Sequence, residues 1–160
     1  MIHFHRTAAA TLLAGALWLG SPLAFAQGSV TADEQAIHDY VLTMPKLQAY
    51  AAATHQMQSA KNDPALMAEA SQLQDDKQSL LDKAKIIETR CPQMNAWLKA
   101  HGMTAREFLL TPMTLMAVGL AEVAKQQGGK PPAFISEANL KFYEDHKAEI
   151  EKLDIQASSE

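Results

Sequence analysis

"LLTPMTLMAVGLAEVAK", residues 109–125, decides the fold. From Phe108 to Ala121 fourteen residues carry no charge, and a proline and two methionines lie among them. Such a run is a membrane span, a soft-metal site or the middle of a core. Crossing a bilayer takes about 20 apolar residues, so this run suits a core helix. Leu109, Met113, Met116, Leu120 and Val123 recur at steps of four and three, which places them on one stripe. Ala117, Ala121 and Ala124 fall on another, small enough for a neighbouring backbone to come close. A helix apolar nearly all round is a buried one. Pro112 has no amide to offer the Phe108 carbonyl, so a bend is expected there, with Thr111 or Thr114 satisfying the loosened backbone.

Working outward, "TARE" at 104–107 reads as a capping box that launches this helix, and Gly128-Gly129 ends it. "QQGGKPPAF" at 126–134 is a linker, stiffened by Pro131-Pro132. A last helix begins at Ser136. Ile135 and Leu140 are spaced as a hydrophobic staple, and Leu140, Tyr143, Ile150 and Leu153 make its core face. Residues 154–160 read as a frayed tail.

Upstream, "TADE" at 31–34 is a second capping box. Ile37, Tyr40, Val41, Met44 and Leu47 follow on one face, interrupted by Pro45, which kinks the helix or starts a second piece ending near Ala60. "NDP" at 62–64 is a turn with Asp63 as N-cap and Pro64 as first helical residue. From there to about Arg90, Leu66, Ala70, Leu73, Leu80, Ala84 and Ile87 form a seam that Lys77 breaks. Cys91-Pro92 ends it. A short helix, 93–100, stops at Gly102. Period-two alternation does not occur. The expectation is an all-α fold: an irregular bundle of about five helices around a proline-bent central helix at about 104–126.

Residues 1–26 stand outside that fold. Arg6 precedes an uncharged apolar run, Thr7–Gly20, and Ala24-Phe25-Ala26 is the small-x-small pattern of a signal peptidase site. This reads as a secretory signal cleaved after Ala26, leaving residues 27–160 as one domain in the periplasm or outside the cell, with no stable membrane span. The chain carries a net charge of −4 with its charges interspersed, so no basic stripe marks a nucleic-acid partner.

"TAREFLLT" and "SEANLKFYEDHKAEI" together resemble small exported bacterial proteins of no assigned activity. The likeness covers roughly residues 104–150 and rests on the Thr-x-Arg-Glu-Phe opening and on Asn139, Phe142 and His146. It implies an exported all-helical domain and no particular chemistry. Periplasmic stress chaperones with Leu-Thr-x-x-Gln signatures are a poorer match. "LTMPKLQ" places Gln48 one residue too late, and "LLTPMTL" has no glutamine.

Chemistry-bearing residues are sparse. "HQM" at 55–57 and "HGM" at 101–103 set His55, Met57, His101 and Met103 in a pattern whose imidazoles and thioethers suit Cu(I). Positions two apart on a helix diverge, and core packing also explains the methionines. Met44 and His146 occupy places at which helical bundles ligate haem. Cys91, the one cysteine, reads as a buried thiol, an intermolecular disulfide partner or a reactive group, and pairs with His101 as a dyad only if the fold brings them together. Asp75 and Asp76 are adjacent on a polar face. No hydrolase, zinc-protease or phosphate-loop motif is present. Tyr40, Tyr50, Trp97 and the bend at Pro112 are candidates to line a groove, and the Leu66–Ile87 face is a candidate to meet a partner or a second copy. The expectation is a non-catalytic envelope protein without a cofactor that binds a protein partner or small apolar ligand. The alternative is a periplasmic copper- or haem-binding helical protein.

Overall fold

A computed structural model describes residues 30–60, 62–153 and 155; the expected signal segment, its cleavage site at Ala24 and Ala26, and most of the expected tail lie outside them. The described residues form seven α-helices and one short 3-10 turn, with no strand. In chain order these are α1 (Ala32–Asp39), α2 (Met44–Ala60), α3 (Pro64–Ala70), the 3-10 turn (Ser71–Leu73), α4 (Leu80–Arg90), α5 (Pro92–Ala100), α6 (Ala105–Gln126) and α7 (Glu137–Glu151).

The all-α class is as expected; the count of five helices is not. Two of the expected helices are each divided. The first stops at Asp39 because Leu42 and Tyr40 turn their backbone groups to Asn139 instead of to the helix: Leu42 N–H donates to Asn139 Oδ1 at 2.9 Å, and Asn139 Nδ2 donates to the Tyr40 carbonyl at 2.6 Å. Chain direction then resets at Met44, with Pro45 in the first turn of α2. The second division lies at 71–79. Asp75 Oδ1 accepts from Lys77 N–H at 2.9 Å, closing a local turn, and Ser79 caps a new helix through Asp82 N–H at 3.1 Å. Asp33 then accepts Leu80 N–H at 2.8 Å, tying the start of α4 to the first turn of α1.

The expected caps are present. Thr31 and Glu34 exchange hydrogen bonds of 2.7 and 3.1 Å, and Thr104 and Glu107 exchange bonds of 3.0 and 3.1 Å. Gly102, at φ 70°, closes α5 in the left-handed region. Gly128, at φ 78°, does the same for α6, where Gly129 N–H donates to the Ala124 carbonyl at 2.8 Å.

Helix α6 packs against α1, α2, α4, α5 and α7. It joins two cores. Its N-terminal end, through Ala105, Phe108 and Leu109, meets Ala84 and Ile87 of α4, Cys91 at the junction, and Met94 and Leu98 of α5. Its later turns, through Leu110, Ala117, Val118 and Ala121, meet Ile37, Tyr40, Leu42, Leu47, Ile135 and Ile150.

Two expectations about α6 are overturned. It continues as one helix through Pro112, so the bend is not matched. Neither threonine is given to the loosened backbone: Thr111 Oγ1 pairs with the Tyr40 hydroxyl at 2.7 Å, and Thr114 Oγ1 is buried with no partner among the described residues. The phase of burial also differs. The hidden side is Leu110, Thr111, Thr114, Ala117, Val118 and Ala121, whereas Met116, Leu120 and Val123 are 55%, 63% and 49% exposed. Small residues let the neighbouring helices approach α6 on the alanine side, which leaves the bulky stripe outside. By length and composition alone α6 is long and apolar enough to cross a membrane, a test that the core helix of a soluble protein also meets, and 33% of its most apolar stretch is buried.

Candidate functional site

Two arrangements have the makings of a site. The first is the contact between α2 and the end of α5. His101 Nδ1 lies 2.7 Å from the Trp97 carbonyl, and Nε2 lies 2.7 Å from Gln56 Oε1. The His101 ring is tilted over Trp97 with centroids 4.2 Å apart. This contact brings the "HQM" and "HGM" segments together, because Gln56 sits between His55 and Met57. The four residues nevertheless differ in access. His55 is exposed, Met57 and His101 are half-buried, and Met103 is 3% exposed inside the protein. No group of three His, Cys, Asp or Glu side chains suited to a metal ion occurs among the described residues.

The other sequence candidates are dispersed. Met44 packs against the core between α1, α6 and α7. His146 is engaged on its own helix, its ring tilted against Phe142 with centroids 4.7 Å apart, and with Nδ1 3.5 Å from Glu149 Oε1. That distance is a charge contact when the ring is protonated and too long for a good hydrogen bond, which agrees with the buried Nδ1 having no hydrogen-bond partner among the described residues. Asp75 and Asp76 are exposed. Tyr40 is buried against Thr111, Tyr50 meets Phe108 at 5.7 Å, and Trp97 joins the other core, so these rings do not converge on one groove. The seam from Leu66 to Ile87 is used inside the protein: Leu66, Ala70, Leu73, Ala84 and Ile87 pack with α5, and Leu80 packs with the other core.

Cys91 is free and fully buried, its Sγ 3.8 Å from the Glu69 carbonyl. Burial, and secondarily the Glu69 carboxylate, push the thiol above its ordinary range. Trp97 and Gln56, not Cys91, hold the His101 ring, so the dyad is not formed. The thiolate is the nucleophile. Iodoacetamide at pH 8 is therefore expected to leave the native protein unlabelled and to label it fully in guanidinium. Rapid native labelling, read by mass spectrometry, would contradict this burial.

A small cleft of about 130 Å³ lies where Pro45, Lys46 and Ala49 of α2 meet Gly102, Met103 and Glu107. It falls below the roughly 300 Å³ at which ligand pockets begin. Lys46 is already committed: Nζ donates to the Val41 carbonyl at 2.9 Å and stands 4.4 Å from the centre of the Tyr40 ring.

The second arrangement is the uncovered side of α6. Met116, Leu120 and Val123 stand at steps of four and three, and Gly119 lies between them with open space where a Cβ would project. Three large apolar side chains on two turns, with no charge among them, form a continuous exposed stripe. Sequence periodicity had assigned these same residues to the core. In a helix apolar on every side the pattern has no phase, so nothing in it marked the exposed side.

No family model, curated protein or solved structure matches this chain.

Proposed function

We propose that this is an exported, non-catalytic helical protein of the bacterial envelope that binds a protein partner or a small apolar ligand on the α6 stripe. One observation carries the reading: Met116, Leu120 and Val123 are exposed together on the most apolar of the described helices. Scattered exposed apolar residues are ordinary, but contiguous ones mark binding surfaces. Spacing at i, i+4 and i+7 is that of a helix offering one face to a partner. The signal-like N-terminus supports export, and the absence of hydrolase, zinc-protease and phosphate-loop motifs leaves no sequence argument for catalysis.

The test uses 8-anilinonaphthalene-1-sulfonate and an aggregating client protein. The native chain is expected to enhance dye emission and to slow client aggregation. Leu120→Glu and Met116→Lys, both at exposed positions, should remove most of both effects while leaving the circular dichroism spectrum unchanged. Dye emission and client protection that are unchanged in both variants refute the stripe as the binding surface.

The Gln56–His101 contact favours one second reading, a Cu(I) site using His55, Met57 and His101. Nδ1–H donation to the Trp97 carbonyl would leave Nε2 to ligate once the Gln56 side chain, 2.7 Å from it, turns away. Titration against a chromophoric Cu(I) chelator is expected to give one equivalent of uptake that His101→Ala abolishes. No withdrawal of metal from the chelator ends this reading. Haem ligation by Met44 and His146 has no comparable support.

A further inference from the structure

Sulfur in this fold is divided between hidden and open positions, and one open position lies on the α6 stripe. Cys91, the one thiol, is fully buried. Seven of the chain's eight methionines belong to the described residues. Met94 and Met103 are core residues, Met44, Met57 and Met113 are half-buried, and Met67 and Met116 are 53% and 55% exposed. A dissolved oxidant must reach a thioether to oxidise it, so Met67 and Met116 meet it first. Their surroundings differ. No other large apolar side chain on α3 is exposed beside Met67, whereas Met116 begins the stripe that Leu120 and Val123 complete. Positions three and four away are side-chain neighbours on a helix. For Met116 these are Pro112, Met113, Gly119 and Leu120, and none has a side-chain hydrogen-bond donor. A sulfoxide oxygen at 116 is therefore satisfied by water. An apolar partner covering the stripe strips that water away and leaves the oxygen unpaired, which opposes binding.

We propose that the Met116 thioether is a site of reversible oxidation by hydrogen peroxide, and that its sulfoxide closes the α6 stripe to apolar partners. The second half rests on the stripe being the binding surface. The sulfur lone pair attacks one peroxide oxygen and the O–O bond breaks. The departing hydroxide takes the remaining proton and leaves as water, so sulfur is oxidised and the peroxide reduced. Met116 stands outside both cores, so the fold is kept and only the surface changes. Met67 gains oxygen as well, with no stripe to close. Reductases specific for each of the two sulfoxide epimers return the sulfide.

The experiment exposes the full chain to hydrogen peroxide and maps each methionine by mass spectrometry of its peptides. Met116 and Met67 are expected to gain oxygen about tenfold faster than Met94 and Met103. Affinity for 8-anilinonaphthalene-1-sulfonate should fall about tenfold, and client protection with it, in step with Met116 conversion and with the circular dichroism spectrum unchanged. The two reductases together should restore both. Each variant is compared with itself before and after peroxide. Met116→Leu should lose the response, and Met67→Leu should keep it. Oxidation of Met116 no faster than that of Met94 and Met103 overturns the proposal. So does full conversion of Met116 with binding intact, or a response that survives in Met116→Leu. An untreated chain that binds neither dye nor client refutes the functional reading instead, and selective, reductase-reversible oxidation of Met116 in that chain still upholds the modification site.

Discussion

Replacing Asn139 by Ala is expected to cost about 3–5 kcal/mol of stability, measured by urea unfolding. Asn139 is 1% exposed on α7, and its amide does what no backbone group can do at the α1–α2 corner. It accepts from Leu42 N–H and donates to the Tyr40 carbonyl, 2.9 and 2.6 Å away. Alanine leaves both backbone groups buried and unpaired, at about 1–3 kcal/mol each. Asn139→Asp separates the two bonds. Its carboxylate still accepts from Leu42 but has no proton for Tyr40. The protonated acid restores that donation, so its pKa is raised in the folded state. Stability lent by a group with a raised folded pKa is present at low pH and lost as pH rises through that value. Asn139→Asp should therefore lie closest to the parent in acid and fall away toward neutrality. Lys141→Ala, two residues on, removes an exposed 2.7 Å pair with Asp145 and should leave the urea midpoint unchanged. Equal losses for Asn139→Ala and Lys141→Ala would refute the clamp.

That clamp also marks what the sequence conceals. Local signals are legible. Thr31-Glu34 and Thr104-Glu107 spell reciprocal caps, Asp63-Pro64 spells a start, and Gly102 and Gly128 spell stops. Each is settled within about four residues, where side-chain chemistry and backbone geometry meet directly. Long-range polar contacts carry no such spacing. Asn139 lies 97 positions from Leu42, and Thr111 lies 71 from Tyr40. Their effect on the first helix, ending it at Asp39, is written nowhere near that end. The missed restart at Ser79 is a different case. Ser79-x-x-Asp82 is a local cap signal, and continuity of the apolar seam outweighed it. The candidate site was hidden for a third reason. Burial of α6 is fixed by which side its neighbours can approach most closely, and Ala117 and Ala121 win that contest over Leu120 and Val123 by being small. A count of apolar residues favours the opposite face.

Glu69→Ala is expected to cost about 2–4 kcal/mol and to loosen one end of the molecule before the rest. In "PALMAEA" this glutamate looks like an ordinary solvated residue, yet it is 8% exposed. Its carboxylate serves α5. Cys91 offers that helix no side-chain cap, and Pro92 has no amide. The next two amides, of Gln93 and Met94, donate to Glu69 Oε1 and Oε2 at 3.1 and 2.8 Å. A helix of another segment thus receives its N-cap from α3, and the negative charge lies at the positive end of the α5 dipole. Removing it orphans two amides beside Cys91. The Glu69 carbonyl also faces the Cys91 thiol, so loosening α3 opens the path to sulfur. Glu69→Ala should therefore label with iodoacetamide under conditions that leave the parent untouched, and amide exchange at 93–95 should quicken before exchange in α7. Glu69→Gln keeps one acceptor oxygen, turns an amide group toward a backbone N–H and loses the charge, so it should fall between the two. If Glu69→Ala unfolds at the same urea concentration as the parent and its thiol stays protected, α5 is capped by something other than this carboxylate.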